Sequence, residues 1–151
     1  MSNLKQLMLV LDLESKKENK LAQDYQQAEL HKQQSRQKLS GLEQYRLDYL
    51  RLIQQKGQLG VEAKELHQHQ SFVGKLDKAC EQQIQFISQA TLVADQRKRL
   101  WLDQQKRRKA IEILISSKRA KASVIANRRE QDMYDEIALQ KYARRKHPGV
   151  L

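Results

Sequence analysis

The sequence predicts an all-α protein, a long antiparallel two-helix coiled-coil hairpin with a short helix or irregular turn near residues 57–70. Three observations carry that expectation. Apolar residues recur in alternating steps of three and four over most of the chain. Glycine clusters at one internal place, and proline occurs only at Pro148. The composition is rich in strong helix formers and poor in large core residues, with aromatics at 5%.

The first segment, residues 3–56, holds no proline and only Gly41 in its interior. With Leu4 at heptad position a, Leu11, Tyr25, Leu39 and Ile53 share that position. Leu7, Leu21, Ala28, Leu42 and Tyr49 then fall at d. Ten of the fifteen core positions are apolar, and Glu14, Glu18, Lys32, Ser35 and Arg46 are the exceptions. Such a repeat is a diluted coiled-coil seam. At 1.5 Å per residue the segment makes a helix of roughly 80 Å.

The turn region is expected at residues 57–75, "GQLGVEAKELHQHQSFVGK", where Gly57, Gly60 and Gly74 cluster. Gly-x-x-Gly breaks a helix and reverses the chain. A short helix around residues 61–70 is expected inside it. The second long helix is expected over residues 76–146. From Ile87 its series collects Ala90, Ala94, Trp101, Ile111, Ile115, Ala122, Ile125, Leu139 and Ala143. Arg97, Gln104, Arg108, Lys118, Arg129, Asp132 and Glu136 interrupt it, so this seam is thinner. "HPG" at residues 147–149 should stop the helix, because proline cannot continue it, leaving a tail at residues 147–151. The whole chain, 1–151, reads as a single coiled-coil domain without an internal repeat.

The composition also bounds function. A compact domain of 151 residues would bury a thick apolar core, and two Phe and one Trp are too few for that. Disorder is opposed by the five glycines, the single proline and 22 glutamines among abundant Leu, Ala, Glu, Lys and Arg. Cys80 is the only cysteine, so no intramolecular disulfide can form, and a small packing role in a reducing compartment is expected. The apolar run Leu7–Leu11 is far shorter than the ~20 residues that span a bilayer. A soluble cytoplasmic protein is the expectation.

No motif for catalysis is present: no glycine-rich phosphate loop, no HExxH, no plausible Ser, His and Asp set. His67 and His69 are two residues apart and would point to different sides of a helix. His31 and His147 lie far from them, so neither metal nor cofactor is expected. "RREQDMYDEIA", residues 128–138, gathers Asp132, Asp135 and Glu136, but a two-helix structure offers no concave, water-excluding site for catalysis. Helical spacing makes these residues either a solvated face of local ion pairs or a docking face.

The net charge of +11 is uneven. Residues 97–129 hold 12 basic side chains against Asp103 and Glu112. A cationic helix attracts phosphate backbones at low salt. Without interleaved aromatics or a known reading fold, specific base recognition is not expected. A basic nucleic-acid-binding helix remains the alternative reading, beside a generic self-associating coiled-coil scaffold.

The aromatics give another signal. Leu42, Tyr45 and Tyr49 share one helical face, and Phe72, Leu76, Ala79 and Gln83 share another across the glycine-rich turn. A hairpin brings the two stripes together, either as an exposed patch suited to a protein partner or as packing where the helices splay.

The chain resembles the flagellar export protein family FliJ over nearly its whole length. The likeness rests on Leu4, Leu7 and Leu11, "LEQYRLDYL" (42–50), "FVGKLDKA" (72–79), "RLWLDQQKRRKAIEIL" (99–114) and "RREQDMYDEIA" (128–138). It implies a fold similar to the central stalk of rotary ATPases, a monomeric hairpin whose paired ends enter a hexameric ring. It further implies docking into the flagellar export ATPase, promotion of its assembly and activity, and contact with the cytoplasmic domain of the export gate and with export chaperones. By position, Leu42, Tyr45, Tyr49, Phe72, Leu76, Ala79 and Gln83 would face the gate, with Lys38 at the edge of the match. Arg128, Glu130, Gln131, Asp135 and Glu136 would face the ATPase. The resemblance places the protein in the cytoplasm at the flagellar base, reaching the inner membrane only through partners. A stalk of a non-flagellar type III secretion system is a related possibility.

Overall fold

A computed structural model describes residues 2–146. Two α-helices account for nearly all of them: α1 (Ser2–Gln58) and α2 (Ala63–Lys146), with no strand among the described residues. The helices pack against each other in an antiparallel hairpin, as the repeat predicts. The chain divides into two units, one of residues 16–105 and one of residues 1–15 with 106–151.

The connection is much shorter than the expected 57–75 region. Gly57 ends inside α1, and among the described residues Gly60 alone takes the left-handed conformation, with φ of 82°. That is the ordinary way for glycine to close a helix C-terminus. The amide of Leu59 donates to the carbonyl of Lys56 at 3.1 Å, and that of Leu66 to Glu62 at 3.0 Å as α2 begins. The short helix expected at 61–70 is thus the opening of α2. Gly74 lies within α2 and breaks nothing, because packing of its neighbours Phe72 and Leu76 outweighs the ~1 kcal/mol cost of one helical glycine. The stop at residues 147–149 and the 147–151 tail lie outside the described residues.

In the unit of residues 16–105 the seam follows the heptad reading. Across the whole of α1, none of the fifteen predicted core positions is exposed, and the polar exceptions occupy the seam with the apolar ones. Opposite them, Leu76, Gln83, Ala90, Ala94 and Gln104 are buried. The alanines let the helices approach closely where Tyr25 meets Trp101, whose ring centroids are 5.7 Å apart. Among the described residues no side chain is wholly withdrawn from solvent. Each half-buried leucine therefore contributes only about half of the ~2 kcal/mol of full burial, and stability accumulates through length.

In the unit of residues 1–15 and 106–151, Ile115 is buried and Ile111 half-buried. The start of α1 lies beside residues 118–125. Arg119 donates toward the sulfur of Met8 at 3.7 Å, and Asn3 and Leu4 share an open groove with Ala122 and Ile125. Beyond that point α2 continues alone, and every residue from Ser116 to Lys146 is exposed. The predicted series through Ala122, Ile125, Leu139 and Ala143 therefore marks no buried seam, since α2 has 84 residues against 57 in α1. Arg144, Arg145 and Lys146 close the described helix, a favourable place for cations beside the helix dipole.

Candidate functional site

The two aromatic stripes meet inside the unit of residues 16–105. Tyr49 is the hub, half-buried on the seam of α1. Its ring lies 4.7 Å from Phe72 and 5.5 Å from His69, both in tilted or edge-on geometry that aromatic quadrupoles favour. Its hydroxyl hydrogen-bonds Nδ1 of His69. Tyr45 packs edge-on against Phe72 at 6.2 Å yet remains 53% exposed. Of the cluster, it alone presents most of its surface to solvent.

The remaining gate-facing candidates divide by burial. Leu42 and Ala79 are half-buried flanks of the cluster. Leu76 and Gln83 are committed to the seam, with Gln83 only 4% exposed. The Gln83 amide donates a 2.8 Å hydrogen bond to the main-chain carbonyl of Ser35, which ties the side chain to the seam. Lys38 is exposed and lines an open groove of about 580 Å³ with His31, Gln34, Phe86 and Val93.

Three participants escaped the sequence reading. His69 belongs to the aromatic cluster, a membership signalled by its place three residues before Phe72 and seven before Leu76. Arg46 forms an ion pair with Asp77, joining α1 to α2 beside Tyr45. Ser35 accepts the Gln83 bond. Arg46 is a polar exception in the α1 repeat, and a polar seam residue calls for a partner on the facing helix; Ser35 supplies only its main-chain carbonyl, which residue type does not signal. Near the turn, Glu65 lies 3.8 Å from Lys56 and 3.7 Å from Nε2 of His69.

The second candidate set lies on the uncovered part of α2. Arg128, Glu130, Gln131, Asp135 and Glu136 are all exposed. Tyr134 reaches back to the carboxylate of Glu130 at 3.5 Å, the helical i,i+4 spacing. Tyr134, Ile137 and Tyr142 stand exposed among these charges. Apolar and charged groups are thus mixed on this exposed length of helix. Among the described residues no group of three or more His, Cys, Asp or Glu could hold a metal. Cys80 is a free, half-buried thiol.

A family model described as "Flagellar FliJ protein" matches residues 3–147. The chain belongs to the flagellar FliJ protein family. No curated protein and no solved structure matches it. Membership makes this FliJ-family chain a component of the flagellar protein export apparatus, structural in kind. None of its described helices is long and apolar enough to cross a membrane.

Proposed function

We propose that this FliJ-family chain is a non-enzymatic stalk of the flagellar type III export apparatus. It docks into the ring of the export ATPase and promotes ring assembly and turnover. It also contacts the cytoplasmic domain of the export gate and receives export chaperones. It works in the cytoplasm at the flagellar base. The observation that carries this reading is the uncovered length of α2, where Arg128, Glu130, Gln131, Asp135 and Glu136 surround exposed Tyr134 and Ile137. A helix so furnished gains burial and charge pairing by entering another protein. The Tyr45 edge of the aromatic cluster is the gate-facing surface, held in place by Tyr49 and Phe72.

The test is ATP hydrolysis by the cognate export ATPase, titrated with this protein at ~0.15 M salt. Turnover should rise with added wild-type chain, and an Asp135→Lys/Glu136→Lys variant should lose most of that rise. Turnover indifferent to the wild-type chain would overturn the proposal.

A further inference from the structure

The basic stretch of α2 precedes the residues proposed for the ATPase and carries a charge surplus of its own. Residues 106–124 hold seven cations and one carboxylate, Glu112. That carboxylate is held at 2.9 Å by Arg108, so the pair cancels and the surplus elsewhere stands undiluted. Arg108, Ile111 and Ile115 point α2 inward. The face opposite them runs through residues 106, 110, 113, 117, 120 and 124 in steps of four and three, which is one helical stripe. It reads Lys106, Ala110, Ile113, Ser117, Ala120, Val124, all exposed. Ile113 is 69% exposed and Val124 58%. Lys109 and Lys121 flank the stripe, and no acid stands on it.

We propose that this face of α2 binds the surface of an anionic phospholipid membrane directly. The occupant is chosen by two properties together. Cations at the flanks complement lipid phosphates, with long side chains able to reach outward. Small and branched apolar groups at the centre enter the boundary between headgroups and acyl chains, as in helices that lie in the interface plane. A nucleic-acid backbone would use the cations but has no use for Ile113 and Val124. Residues 104–124 also contain no aromatic side chain on which a base could stack. The surface is distinct from the residues proposed for the ATPase and the gate, so its test stands apart from theirs.

The full chain is mixed with vesicles containing phosphatidylglycerol or with vesicles of phosphatidylcholine alone, at ~0.15 M salt, and separated by flotation. Binding should favour the anionic vesicles by at least about tenfold. Ile113→Ser/Val124→Ser, which leaves the net charge and these exposed positions' packing unaltered, should weaken it several-fold. Lys106→Gln/Lys109→Gln/Lys121→Gln should abolish the preference. Retained helical circular dichroism shows that each variant is folded. Equal binding to both vesicle types overturns the proposal. So does undiminished binding by the serine variant, and a single-stranded RNA competing equally against wild type and serine variant would then mark the face as a general polyanion binder.

Discussion

Gln83 reaches across from α2 to the main-chain carbonyl of Ser35 on α1, and the 2.8 Å bond between them is buried. A buried side-chain bond between the helices helps fix register, because sliding either helix takes the amide away from its acceptor. Gln83→Ala should therefore destabilise the chain by about 1–2 kcal/mol. Gln83→Leu, which needs no partner, should cost less than about 1 kcal/mol. Urea titrations followed by circular dichroism decide between these values. If Gln83→Leu also retains gate binding, Gln83 acts by positioning and touches no partner.

The aromatic cluster separates stability from recognition. Phe72 lies between Tyr45 and Tyr49, so Phe72→Ala should lower stability by about 2 kcal/mol, less than a fully buried phenylalanine would. Tyr45→Ala should cost under about 1 kcal/mol, since most of that ring is already in water. The melting temperatures of the two variants should differ accordingly. Tyr45→Ala should nonetheless weaken binding to the gate domain at least about tenfold, as an exposed aromatic at an interface does.

Two glycines should respond in opposite senses. A methyl group at Gly74 meets nothing within 4 Å, and the backbone there is helical. Gly74→Ala should stabilise the chain by about 0.5–1 kcal/mol. Gly60 also has open space around it, but its φ of 82° penalises any side chain. Gly60→Ala should destabilise by about 1 kcal/mol. Thermal melts of the two single variants would expose a misplaced turn if these signs were reversed.

The Arg46–Asp77 ion pair lies at the edge of the cluster, with both side chains well exposed to solvent. Its coupling energy in a double-mutant cycle should be below about 1 kcal/mol and shrink as salt is raised. A coupling that survives 1 M salt undiminished would mean a drier environment than the surface this pair occupies.

Much of the fold was legible in the sequence because the determinant is periodic. Leu4 fixed the phase of the α1 repeat, and that phase holds to Ile53 even through Glu14, Lys32 and Arg46. The turn was less legible. Three glycines looked alike, and only Gly60 sits where the backbone needs one, a distinction made by φ and invisible in residue type. The end of the seam was illegible for another reason. Ala122 through Ala143 keep a helical spacing, but burial there depends on how far α1 reaches, which is a property of the other helix. Arg46 was read as a blemish in the repeat, although its partner Asp77 stood on the facing helix, while the bond of Gln83 to the main-chain carbonyl of Ser35 leaves no mark in residue type. At the site, the stripes of Tyr45, Tyr49 and Phe72 were found by spacing, while the burial of Leu76 and Gln83 required the packed pair.

Service of the ATPase and the gate by separate stretches of one chain is tested most directly by a crossed binding assay. Wild-type chain, Tyr45→Ala, and Asp135→Lys/Glu136→Lys are each titrated against the purified export ATPase and against the cytoplasmic gate domain. Tyr45→Ala should lose gate binding and keep the ATPase, while the charge-reversed variant should do the opposite. If either variant weakens both partners alike while remaining folded, or neither weakens any, the division of labour between the aromatic cluster and the uncovered end of α2 is wrong.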